Sequence, residues 1–287
     1  MPKPIERMPP PPPLRLELPD VRAAAIRRHW IGVAQHGFLH GYHSTFTTMP
    51  GWYCARWADD ASGMQGLTLF PAHDGALCAQ AEFMVKAMDA KDGEAGAELS
   101  VTVDTAVTAR LQKGGWRQVG GMLSVHTLPL LVGPHLKPIP SNCTVQVVSN
   151  ATTLADFAVV QERAYRESYG TPEGSTAKFY ASPYSLIGPD VHAQVLYLDG
   201  KPVRATALVR SHGLVSLAND AAIPEVRGLH LSECSIRLAL AAAWQLFGVD
   251  EVVYVTVPEA RSIAARIGLP VVDRYRRMVP TRVEAVG

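Results

Sequence analysis

Two short stretches hold most of the residues able to do chemistry. The first is Asn219-Asp220, a polar pair interrupting an apolar alternating segment that runs from Leu214 to Ile223. A carboxylate there can serve as a general base, directly or through water; the plainer alternative is a polar strand end at a β-bulge. The second is Pro224-Glu-Val-Arg-Gly-Leu-His-Leu-Ser232, followed by an apolar run to Gly248. A helix opening near Ser232 has first backbone N–H groups without internal partners, and these can hold an anion. Arg227 can pair with a phosphate, His230 can donate to one or simply fill space, and Ser232 can cap the helix.

A third grouping, His29, His36, His40 and His43, falls at helical spacing. Two such histidines can ligate zinc. Gly37 and Gly41 weaken that helix, however, and the interleaved Trp30, Phe38, Tyr42 and Phe46 suit a packing surface, so no metal site is expected. The cysteines, Cys54, Cys78, Cys143 and Cys234, are far apart and form no C-x-x-C pair, which argues against both zinc and a disulfide framework. No nucleophile elbow or glycine-rich nucleotide loop is visible.

The elements that must position these residues are legible in the second half. Cys143–Val148 predicts a strand, and 154–165 a helix by its apolar spacing. Strands at 194–198 and 203–209 flank Asp199-Gly200, a favoured two-residue hairpin turn. Then follow the strand at Leu214, the Ser232 helix, a strand at 251–257, a short helix at 259–267 and a last strand at 271–278. The first half repeats this plan: Pro71 and Pro224, Gly75 and Gly228, Val101-Thr-Val103 and Val255-Thr-Val257, Gly114 and Gly268 recur at a spacing of about 150 residues, which predicts a duplicated unit. The fold class is therefore α+β, with mixed sheets flanked by helices. Proline runs divide the chain into a tail at 1–18, a first domain at 19–127, a linker at 128–141 and a second domain at 142–287.

Net charge is +1, so no global field draws the chain to nucleic acid or an anionic membrane. No apolar run approaches the roughly 20 residues that span a bilayer, and the first residues lack a signal-peptide core. A reduced, cytoplasmic protein is the expectation, with no nucleic-acid and no membrane partner.

The order of elements, with Pro-Glu-x-Arg-Gly between a strand and a long helix, resembles the GNAT superfamily of acyl-CoA-dependent N-acyltransferases over residues 143–280, and more weakly over 20–125. The resemblance implies two tandem GNAT domains, the first degenerate: Asp74 there stands where the second half has Arg227. It implies acetyl-CoA or another acyl-pantetheine as co-substrate, bound at Ala222, Ile223, Arg227, Gly228, Leu229, His230 and Ser232, with the amides of Ala222 and Ile223 orienting the acyl group. Departures are equally plain. Glu225 stands in place of the usual Gln or Arg, His230 in place of Gly or Ala, Ser232 in place of a further Gly, and Ala264 in place of the acid Tyr. Asp220 and Asn219 are then the candidate catalytic residues toward the amine, and Tyr254, Tyr275 and Cys234 candidate acids, with Tyr275 taken forward as catalytic. The function implied is transfer of an acyl, in the first place acetyl, group to a small-molecule amine. An acyl carrier protein as donor, other thioester chemistry such as decarboxylation, and a non-catalytic binding scaffold stay open beside it.

Overall fold

The structure is a computed structural model that describes residues 19–41, 44–49, 51–59, 64–72, 79–82, 95–129, 139–169, 173–174, 180, 183–249, 251–257 and 261–281. The expected proline tail, the first-half turn at Asp74 and Gly75 and most of the helical stretch after it lie outside the described residues.

One sheet runs through the chain. The first half contributes α1 (Pro19–Gly41), β1 (Ser44–Met49), β2 (Trp52–Asp59), β3 (Met64–Pro71), β4 (Ala95–Ser100), α2 (Thr105–Lys113) and β5 (Trp116–Pro129). The second contributes β6 (Cys143–Val147), α3 (Ala151–Tyr169), β7 (Ile187–Gly188), β8 (Val191–Leu198), β9 (Lys201–Ser211), β10 (Leu214–Ala222), α4 (Leu231–Phe247), β11 (Glu251–Thr256), α5 (Arg261–Ile267) and β12 (Val271–Pro280). The strand order is β1-β2-β3-β4-β12-β5-β11-β10-β9-β8-β6, with β7 on β8. Each half has one parallel pair, β3 with β4 and β10 with β11. The last strands are exchanged: β5 lies against β11 of the second half, and β12 against β4 of the first. The two exchanged strands pair with each other along the middle of the sheet.

Local chemistry explains the elements. Asp199 and Gly200 both take positive φ, 50° and 75°, as the tight turn between β8 and β9 requires. In α4 the buried Leu231, Cys234, Ile236, Ala239, Leu240 and Ala243 form one stripe, and Gly248 closes the helix in the left-handed region with its N–H on the Trp244 carbonyl. β11 is buried at nearly every position, as a strand covered on both faces must be. Helix α1 crosses between the halves: His29 Nδ1 meets the Ser211 carbonyl at 2.7 Å and Nε2 meets Ser216 Oγ at 2.6 Å.

Two details of the repeat differ from expectation. Val101–Val103 form a turn after β4 rather than a strand end, because the first-half strand stops at Ser100, where Asp104 accepts the Ser100 N–H ahead of α2. The glycine matching Gly268 (φ 81°) is Gly115 (φ 83°), one residue beyond Gly114. β5 continues through Leu128 and Pro129, which pair with Val252 and Glu251. Among the described residues no helix is long and apolar enough to cross a membrane.

Candidate functional site

β10 and β11 run in register from Val215–Val252 to Leu217–Tyr254, and the ladder stops there although both strands continue. On its other edge β10 pairs Ala218 with Ala207 and Ala221 with Ala205, so Asn219 and Asp220 together face the single residue Thr206. That is a β-bulge, and it bends the strand away from β11. Asn219 takes φ 50°, which an asparagine tolerates better than most residues. Its carbonyl accepts a hydrogen bond from Gln161 Nε2, a fully buried side chain of α3. The parting strands open a cleft of about 790 Å³.

A polar network closes the floor of this cleft. Asp220 Oδ1 accepts from Arg204 Nη2 and, at 2.9 Å, from Thr206 Oγ1; Oδ2 accepts from the Tyr254 hydroxyl at 2.8 Å. The Arg204 and Asp220 side chains are only 3% and 6% exposed, so this is a buried ion pair. Such a pair is costly to break from one side, because the remaining charge stays in low dielectric. Arg204 Nη1 also donates to Ser232 Oγ at 2.7 Å. Burial, reinforced by the Asp220 charge, pushes the Tyr254 phenol well above its usual range, so Tyr254 stays protonated.

The turn follows directly. Residues Pro224–Val226 form a 3-10 turn, Gly228 takes φ 91°, and His230 is the residue before α4, in the left-handed region at φ 59°. A Cβ on Gly228 would meet nothing within 4 Å, so this glycine serves the backbone conformation rather than a close approach to the rest of the protein. No side chain caps the start of α4. Arg227 Nη1 pairs with Glu167 Oε2 at 2.9 Å, and Arg163 pairs with Glu225; both pairs are solvent-exposed.

The structure thus brings Asn219, Asp220, Ala222, Arg227 and Ser232 to the cleft. Gly228, Leu229 and His230 lie on the exposed turn at its edge. Three expectations are corrected. Ile223 is buried with its amide on the Val203 carbonyl, so it cannot orient an acyl group. Ser232 does not cap α4; its hydroxyl is taken by Arg204. Tyr275 is fully buried in a cluster with Ile26, Val125 and Val253, away from the cleft lining, and burial raises its phenol. Of the remaining acids, Cys234 is buried in the first turn of α4 and its thiol is pushed up, while Tyr254 lines the cleft. Ala264, where the family often carries its acid, is packed in the core.

Sequence reasoning missed Arg204 and Thr206. A signal was present: they sit two apart in an otherwise apolar strand, hence on one face, where a cation and a hydroxyl can hold one carboxylate. Of the histidine series, His29 and His36 bond to backbone and serine groups of the second half, and no cluster able to hold a metal occurs among the described residues.

No protein-family model and no curated protein matches the sequence. Solved structures do match its fold. A GCN5-related N-acetyltransferase from Kribbella flavida aligns with a TM-score of 0.66 at 16% identity, covering 94% of this chain and 98% of that one. A GCN5-related N-acetyltransferase from Sphaerobacter thermophilus gives 0.59 at 15% identity, with coverages of 92% and 93%. A tandem GNAT protein from the clavulanic acid biosynthesis pathway gives 0.57 at 12% identity, with coverages of 92% and 96%. The near-complete coverage in both directions includes both halves and their shared sheet. The chain has the fold of the GNAT superfamily.

Proposed function

We propose that the chain is an acyltransferase, which moves an acyl group, acetyl in the first instance, from the thioester of a pantetheine arm to the amine of a small molecule by direct attack. The observation that carries this reading is the parting of β10 and β11 at a bulge, with Asp220 and Tyr254 joined on the cleft floor. The released edge of β10, from Ala218 to Ala222, offers backbone groups to an extended amide-bearing arm. With CoA as donor, the pyrophosphate lies at the start of α4, near Arg227, His230 and the amides from Gly228 onward. Arg227 exchanges Glu167 for phosphate at little cost, since an exposed ion pair contributes about 0–1 kcal/mol.

Asp220 has three donors on its two oxygens, so its first role is to hold Tyr254 and the bulge. Tyr254, kept protonated, supplies the hydroxyl that the family pattern lacks at Ala264. The amine attacks the thioester carbonyl, the C–S bond breaks, and the departing sulfur takes the phenolic proton. The proton lost from the new amide nitrogen returns to the phenol oxygen through Asp220 or water. Tyr254→Phe is expected to lower kcat for amine-dependent thiol release by about 100-fold while leaving acetyl-CoA affinity unchanged. An unchanged kcat would remove Tyr254 from the mechanism.

One observation favours a second donor. Among the described residues each arginine around the turn already faces a carboxylate, Arg163 with Glu225, Arg227 with Glu167 and Arg237 with Glu233, so a pyrophosphate would have to displace one of them. A pantetheine held by an acyl carrier protein brings no pyrophosphate to this turn. Transfer from a loaded carrier but not from CoA supports that donor; full activity with CoA alone rules it out.

A further inference from the structure

The cleft does not belong to the second half alone. Its far wall is built by the first half, through Trp30 of α1, Phe70 of β3 and Glu98 of β4, facing Tyr165 of α3 and the Asp220–Tyr254 pair. The first half therefore supplies surface to the same cavity.

The charges on the lining cancel except at one place. Arg204 and Asp220 neutralise each other, and Arg227 is held at the rim by Glu167. Glu98 is different. Its Oε1 accepts the Trp30 indole N–H, and its ion-pair contact among the described residues is Arg27 Nη1 at 4.0 Å. Arg27 is itself committed more closely to Asp104, 3.1 Å from its Nε. Arg277 stands opposite Glu98 across the β4–β12 ladder, yet its Nε lies over Gly96, 3.1 Å from where a Cβ on that glycine would be. The second carboxylate oxygen of Glu98 makes no hydrogen bond among the described residues, and the side chain is 19% exposed toward the cleft. A half-buried carboxylate whose one oxygen is fixed by an indole N–H, and whose other oxygen has no hydrogen bond among the described residues, is a receptor for a cation.

Resting on the acyl-transfer reading, we infer that Glu98 and Trp30 are the acceptor's specificity determinants: they hold a second cationic group of the amine substrate while its reacting nitrogen lies at the Asp220–Tyr254 end. The acceptor class is a small molecule bearing two amines, or an amine and another cation. The first half then contributes recognition of the acceptor and the second half the transfer.

Calorimetric titration of the full chain tests this with putrescine, butylamine and γ-aminobutyrate as probes, and acetyl-CoA titrated in the same preparations. The wild type should bind putrescine about tenfold more tightly than butylamine, and γ-aminobutyrate most weakly of the three. Glu98→Gln should erase the putrescine advantage and leave butylamine and acetyl-CoA unchanged. Equal affinity for the two amines, preference for γ-aminobutyrate, or no binding of any amine would overturn the inference, and each is read on the wild type even if the variant fails to fold. No acetyl-CoA binding with a retained Glu98-dependent preference would sink CoA as the donor and leave this inference standing.

Discussion

Asp220 anchors the buried network of the site and, in the proposed reaction, serves its chemistry as well, and the two roles can be separated. Its carboxylate is the counter-ion of a buried guanidinium and the acceptor for two hydroxyls. Asp220→Ala strands the Arg204 charge and is expected to cost about 3–5 kcal/mol in denaturant unfolding, whereas Arg204→Met with Asp220→Leu together should cost far less. A single variant as stable as the wild type would mean that the ion pair does not form. The pair Asn219-Asp220 was visible in the sequence because it breaks an apolar alternation; it forms the β-bulge of the plainer reading, and it lines the cleft. The partners were not visible, since the contact of β9 residues with β10 depends on a two-against-one register that no periodicity reveals. Tyr275 was misplaced for a similar reason. A tyrosine in the last strand can face either side of a sheet, and strand exchange buries this one between β4 and β5.

Among the elements, α1 is the packing surface that its interleaved aromatics suggested, and its His29 and His36 tie the helix to the second half. Burial holds His29 down at about 4, against 6.5 for a free imidazole. As pH falls, the unfolded chain takes up this proton first, so stability from neutral His29 is complete above 6.5 and is lost as pH falls toward 4. The full effect is about 3 kcal/mol. Denaturation midpoints followed from pH 7 to pH 4 should therefore fall more steeply for the wild type than for His29→Gln; parallel curves would contradict the buried neutral imidazole. The strands, the Asp199-Gly200 hairpin and α4 were legible because turn chemistry and apolar stripes are local signals. The displaced cap at His230 was not, because Ser232, the better capping residue by type, is drawn inward by Arg204.

On the scale of the whole molecule, the exchange of β5 and β12 makes the halves one cooperative body rather than two beads on a linker. The repeat was readable as a spacing, but not the exchange, because each strand fits the apolar pattern of either half. Residues 1–141 and 142–287 produced separately would each lack a central strand neighbour, so neither is expected to stay soluble alone, while co-expression should restore the complex. Two independently stable halves would contradict the exchanged sheet. The same arrangement turns a wall of the first half toward the cleft of the second, where the proposed chemistry takes place. The central claim, that a pantetheine thioester lies where β10 and β11 part, is tested most directly by calorimetric titration of acetyl-pantetheine, the arm common to both donors, into the full chain and into Ala222→Trp, which fills that opening. The account predicts one saturable site in the wild type and none in the variant; no heat in the wild type at millimolar ligand, or equal binding by both proteins, would contradict it.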